Sequence, residues 1–171
     1  MNQKNFFEFN FESLKYFLIR DLEIEEKKVS MRSKQIWQSV YKKGSFEINN
    51  LTTFPLELRS KLNSLISLQM PKIVNTQTSN DGTIKWLIKL FDGNEVECVY
   101  IPEKTRATLC ISSQVGCTLN CRFCHTGTQR LVKNLSFAEI VNQVIIAKEQ
   151  INDWDEQKKI TNIVLMGMGE P

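Results

Sequence analysis

The chain has 171 residues, 42% of them hydrophobic and 24% charged, with a formal net charge of +3. This suffices for a domain with its own core and excludes disordered and collagen-like chains. No apolar run approaches the ~20 residues of a membrane span, and the opening MNQKNFFEFNFES is acidic with no clean apolar stretch, so neither a membrane segment nor a secretory leader is expected.

The cytoplasm is the expected compartment, where five cysteines point to metal binding or catalysis rather than disulfides. Residues 1–90 hold 14 Lys+Arg against 9 Asp+Glu, and residues 91–171 hold 8 against 10. A basic first half suits nucleic-acid contact, and equally a solvated helical surface.

Residues 1–70 read as a helical unit. FESLKYFLIRDL places Phe11, Leu14, Leu18 and Leu22 on one helical stripe. MRSKQIWQSVYKKG repeats the pattern with Ile36, Trp37, Val40 and Tyr41 and stops at Gly44. TTFPLELRSKLNSLI offers Thr52 or Thr53 as a start, Pro55 in the first turn, and Leu58, Leu62 and Ile66 on the buried side. Lys34, Lys42, Lys43, Arg59 and Lys61 are left for basic outer faces.

Residues 71–102 read as a β-meander. Asn80-Asp81-Gly82 and Asp92-Gly93-Asn94 are turn signals, and Ile84, Trp86, Ile88 and Leu90 alternate between them. Residues 103–171 read as an extended segment, a cysteine loop, a helix and a strand: the start of a βα repeat, in an α/β fold. Ser136 and Glu139 form a capping box ahead of Phe137, Ile140, Val141, Val144 and Ile145 at helical spacing. Ile160–Met166 is apolar and β-branched, as in a parallel strand buried on both faces. Such a strand is a poor last element for a sheet, so the chain reads as a fragment of a longer protein.

GCTLNCRFCHTG places Cys117, Cys121, Cys124 and the lone His125 within nine positions. Zinc is one reading, with Cys117, Cys121, Cys124 and His125 as ligands and Cys98 and Cys110 in reserve. Against it, there is a single knuckle, and adjacent Cys124 and His125 fit two corners of one tetrahedron poorly. The other reading is a [4Fe–4S] cluster, with three thiolates on three irons and the fourth iron open to a substrate. This spacing resembles the loop of radical S-adenosylmethionine enzymes, in which the open iron chelates the methionine moiety and one electron releases a 5′-deoxyadenosyl radical. VLMGMGEP alone is a strand and a Gly/Pro turn; after the cysteine loop and one helix, it resembles the Gly-Glu-Pro motif of that superfamily.

RATLCISSQVGCTLNCRFCHTGTQRLVKNLSFAEIVNQV and ITNIVLMGMGEP together resemble the radical S-adenosylmethionine methyltransferases that modify C2 of an adenine in large-subunit ribosomal RNA and, in some bacteria, in transfer RNA. The resemblance is strong over residues 95–171 and looser before. It implies a small helical RNA-binding accessory domain ahead of a partial (β/α) barrel. It further implies a cluster on Cys117, Cys121 and Cys124, S-adenosylmethionine contacts from Gly169 and Glu170, Glu97 as proton acceptor, and Cys110 as resolving thiol. Cys98 and His125 match no role. In the implied reaction a methyl carried on a late cysteine becomes a radical and adds to adenine C2. A base then removes the C2 proton, and Cys110 attacks the crosslinking sulfur, forming a disulfide and freeing the RNA. No cysteine follows Cys124, so this chain is expected to be inactive alone. The family also implies an electron donor such as flavodoxin and a monomeric full-length enzyme. The alternatives are an adenine-C8 methyltransferase of the same superfamily, a zinc-stabilised RNA-binding module without catalysis, and a split or decayed gene product.

Overall fold

The computed structural model describes residues 3–119, 121–157 and 159–171. The chain is mixed α/β and divides into two compact units, Met1–Gln69 and Met70–Pro171.

In the first unit, β1 (Lys4–Asn5) pairs in parallel with β2 (Ile66–Ser67). Helix α1 (Phe11–Arg20) opens on a reciprocal cap: Asn10 Oδ1 accepts from Ser13 N at 2.8 Å, and Ser13 Oγ accepts from Asn10 N at 2.9 Å. Leu14, Leu18 and Leu22 are buried as the stripe requires. Helix α2 (Glu26–Tyr41) begins a turn before the expected MRSK, because Val29 extends the buried row of Ser33, Ile36 and Val40 backwards. Helix α3 (Leu56–Leu65) corrects the sequence reading: Pro55 occupies the N-cap without a side-chain hydrogen bond, and neither Thr52 nor Thr53 caps it. Arg59 is likewise less outward than expected, since its guanidinium donates to Asn49 O at 2.8 Å.

The second unit is built on one five-stranded sheet in the order β3 (Lys72–Thr78), β4 (Ile84–Lys89), β5 (Glu95–Pro102), β6 (Ala107–Cys110), β9 (Asn162–Val164). The first four strands are antiparallel neighbours, and β9 joins β6 in parallel. The two Asx-Gly turns close the meander, where Asp81 Oδ1 and Asp92 Oδ1 accept from Thr83 N and Asn94 N. A two-stranded ladder, β7 (Gln114–Val115) with β8 (Lys133–Asn134), brackets the cysteine loop.

Helix α4 (Phe137–Gln150) begins at the expected capping box and packs Ile146 and Ala147 into one core with Trp86, Ile88, Val96, Cys98 and Leu109. Strand alternation turns Glu97, Val99, Thr108 and Cys110 to the opposite sheet face, where they are half-buried. β9 departs from the expected doubly buried strand. It forms the sheet edge with β6 as its one ladder partner among the described residues, and Ile163 is 51% exposed. Apolar, β-branched composition specifies a strand but does not count its neighbours.

Candidate active site

The cysteine loop is closed at a neck. The β7–β8 ladder is prolonged by a bridge between Cys117 and Arg130, with Cys117 N donating to Gln129 O at 3.3 Å. Gly116 makes this possible: its φ is +77°, and a Cβ there would lie 2.1 Å from Arg130 O. Within the loop, Cys124 N donates to Cys121 O at 3.1 Å, and a short 3-10 turn spans Thr126–Thr128. All five cysteines are free thiols.

The GMGEP segment lies against the chain just ahead of the loop. Gly167 N donates to Ile111 O at 3.0 Å, Ser113 N and Gln114 N both donate to Met168 O, and Glu170 N donates to Gln114 Oε1 at 3.2 Å. Gly169 has φ +96°, and a Cβ there would meet the Gln114 side chain at 2.5 Å, so the close approach needs glycine. Together the loop and the segment line an open cleft of about 420 Å3, whose walls include Cys117, Cys121, Cys124, Gly167, Gly169 and Glu170. Five residues singled out from motif spacing are thus brought to one cavity across more than forty positions of sequence.

Cys110 and Glu97 share the sheet face away from α4, and neither lines the cleft itself. Cys110 pairs with Val99 on β5 and Val164 on β9, and Glu97 is two residues along from Val99 on the same face. Burial raises the Cys110 thiol above its ordinary value, partly offset by a hydrogen bond with the Met166 backbone. Met166 itself lines the cleft, which puts Cys110 next to its wall. Glu97 Oε1 accepts from Lys85 Nζ at 2.9 Å. Cys98 points the other way, fully buried, and burial pushes its thiol up to about 12. His125 is exposed, and its carbonyl accepts from Thr128.

The donor set suits a multi-iron cluster. Three partly exposed free thiols share one open cleft and would supply three thiolates to such a cluster. Among the described residues, no three His, Cys, Asp or Glu side chains are gathered closely enough to hold a single metal ion. None of the described helices is long and apolar enough to cross a membrane.

Three residues of this site were not anticipated from the sequence: Ser112, Gln114 and Gln143. Ser112 and Gln143 are fully buried and Gln114 nearly so. Periodicity carried no signal for them: Gln143 lies off the expected apolar stripe of α4, whose own Phe137 is 61% exposed.

No protein-family model matches the chain. It is 50% identical over 153 residues to the dual-specificity RNA methyltransferase RlmN of Rhodopseudomonas palustris (strain BisB5), covering 82% of this chain and 38% of that protein. To the protein of the same name from Bradyrhizobium sp. (strain ORS 278) it is 48% identical over 163 residues, covering 88% of this chain and 40% of that one. The crystal structure of a radical SAM methyltransferase from Sphaerobacter thermophilus superposes with a TM-score of 0.83 at 32% identity, covering 98% of this chain and 48% of that chain. The chain thus spans about two fifths of the length of the curated relatives it matches.

Proposed function

We infer, from a chain that is homologous over 82% of its length to part of the dual-specificity RNA methyltransferases, that it carries the cluster-binding end of a radical S-adenosylmethionine methyltransferase acting on C2 of an RNA adenine. The observation that carries this reading is the single cleft shared by the three loop cysteines and the GMGEP segment.

Cys117, Cys121 and Cys124 are the thiolates that would hold a [4Fe–4S] cluster. When bound, such a cluster supplies the electron that splits S-adenosylmethionine into methionine and a carbon radical. The chain's own contributions are positional and protonic. Gly169 and Glu170 line the cleft, and a backbone carbonyl and a carboxylate there would suit the ammonium of the methionine moiety. Glu97 is the carboxylate available to take the proton from the adenine, and Lys85 at 2.9 Å fixes its orientation. The Cys110 thiol, hydrogen-bonded to the backbone of the cleft residue Met166, is the proposed attacker of a sulfur that crosslinks protein and RNA. In that exchange the new S–S bond forms as the carbon–sulfur bond to the RNA breaks. The carbon keeps the electron pair and takes a proton to become the methyl group.

Large-subunit ribosomal RNA is the proposed substrate, with transfer RNA as a second one. The first unit, through Lys34, Lys42 and Lys43, is the proposed phosphate contact. A cytoplasmic location, a flavodoxin-type electron donor and a monomeric enzyme complete the reading.

Anaerobic reconstitution tests it. About four irons and four sulfides per chain are expected, with charge-transfer absorption that disappears when Cys117, Cys121 and Cys124 become Ala. Stoichiometric zinc without that absorption overturns the reading in favour of a zinc-stabilised module.

A further inference from the structure

We propose that Gln143 and Ser112 are positioning residues: a buried amide clamp that sets the Met168–Glu170 backbone against the strand carrying Glu97, and thereby fixes the S-adenosylmethionine end of the cleft. The proposal rests on the function proposed above and deepens it.

Ser112 sits two residues past Cys110 and five before Cys117, where β6 ends and the chain turns toward the cysteine loop. Four hydrogen bonds converge on it. Its N–H donates to Gln143 Oε1 at 2.8 Å, and its carbonyl accepts from Gln143 Nε2 at 2.9 Å. Its hydroxyl donates to Glu97 O at 2.6 Å and accepts from Met168 N at 2.9 Å. The residue therefore joins α4, β5 and the GMGEP segment at one point.

The arrangement is specific to these side chains. An amide offers an acceptor and a donor on one planar group, which matches the N–H and C=O of a single residue; Leu offers neither and a carboxylate lacks the donor. A serine hydroxyl donates once and accepts from a second group, so it bridges a carbonyl and an N–H; Ala leaves both without partners. Both side chains are fully buried, so water does not replace a lost bond easily and the cost falls on the native geometry. The neighbouring bonds extend the clamp: Ser113 N and Gln114 N hold Met168 O, and Gln114 Oε1 holds Glu170 N. Gln114 is steadied from the far side by Asn134, through a 2.8 Å bond from its Nε2. The backbone amides of Gly167, Met168 and Glu170 are thus all tied to residues 111–114.

None of these residues ligates the metal in the proposed site, which separates the clamp from the cluster. Removing it should leave the three thiols in place and loosen the turn that receives the methionine moiety.

The test uses the 171-residue chain, reconstituted anaerobically, as wild type, Ser112→Ala and Gln143→Glu. Iron and sulfide content reports the cluster, and the change that S-adenosylmethionine makes in the EPR signal of the reduced cluster reports its Kd. Amide hydrogen exchange at Met168 and Glu170 reports the turn without any ligand. All three proteins should load the cluster alike. Ser112→Ala should bind S-adenosylmethionine about tenfold more weakly, the scale of one lost hydrogen bond, and should lose protection at the Met168 amide while Gly167 keeps its own. Gln143→Glu should match wild type at low pH, where a protonated carboxyl still donates to Ser112 O, and weaken as pH rises and that proton is lost. A clamp that merely holds the fold together loses cluster and affinity together, whereas a positioning clamp loses affinity with the cluster still loaded.

Affinity and Met168 protection within twofold of wild type in both variants overturn the proposal. Parallel loss of cluster and affinity in Ser112→Ala, with cluster loading of Gln143→Glu following its affinity across pH, also overturns it and leaves a structural staple. If wild type loads no cluster, or loads it and ignores S-adenosylmethionine, the function proposed above has failed. The exchange data then decide the clamp alone: lost protection at Met168 in Ser112→Ala supports it, and unchanged protection overturns it.

Discussion

Cys110 and Cys98 are twelve positions apart and sit on adjacent strands, yet the sheet assigns them opposite environments. Cys98 belongs to the fully buried core, with its thiol pushed up to about 12, while Cys110 is half-buried beside the cleft wall. Thiolate is the reactive form. Alkylation at pH 8 should therefore spare Cys98 in the folded protein. Cys110 should react, with a rate that keeps climbing above the pH at which an unburied thiol levels off, because burial raises its ionisation. Mass mapping of labelled peptides reads both. In a full-length enzyme, Cys110→Ala should still split S-adenosylmethionine but stall with RNA attached, seen as a shifted band on a denaturing gel. Near-normal methylation by that variant removes Cys110 from the mechanism.

At the scale of elements, α4 does more than cover the sheet. Its capping box fixes the first turn, and Gln143 lies two turns further along on the buried side. Ser136→Ala removes the hydroxyl that accepts from Glu139 N and should cost about 1 kcal/mol, read as a lower urea midpoint with unchanged slope. The cap, the helix and the meander were legible in the sequence because each is written locally: an S-x-x-E pair, a 3.6-residue period, two Asx-Gly turns. The start of α2 was less legible, since Glu26, Lys27 and Lys28 are solvent-facing helix formers that carry no periodic signal. The cleft's three thiols and its Gly-Glu pair were legible as motifs. The clamp was not, because its bonds join residues 31 and 56 positions apart and the side chains involved have no spacing rule. The exposed edge of β9 escaped for a related reason: an apolar strand pattern reports burial only when its neighbours are known.

For the whole molecule, charge and chemistry are divided between the two units. The lysines proposed for RNA contact, Lys34, Lys42 and Lys43, are exposed in the first unit, whereas the proposed cluster cleft lies entirely within the second. RNA affinity should fall steeply as salt rises, because each neutralised phosphate releases a counterion. Converting the three lysines to Ala should weaken binding and flatten the salt slope by up to about three, while leaving iron loading of the second unit unchanged. Filter binding across a salt series measures the first and iron analysis the second. An unaltered slope would reduce these lysines to solvated surface.

The closed neck of the cysteine loop has a consequence for how such a protein is matured and repaired. The ladder of Gln114 with Asn134 and Val115 with Lys133, the Cys117–Arg130 bridge and the Gly116 contact with Arg130 hold both ends of the loop by protein bonds alone. The hydrophobic core beneath includes none of the three loop thiols. Folding of this unit is therefore expected not to require the proposed cluster, in contrast to small domains whose only core is their metal. The proposed cluster would then be loaded into an already finished, thiol-lined recess. After oxidative damage strips the iron, the polypeptide should persist as a refillable vessel rather than collapse into a target for degradation. Circular dichroism of the metal-free protein should accordingly match that of the loaded form, and repeated stripping and reloading should return the same iron content each time.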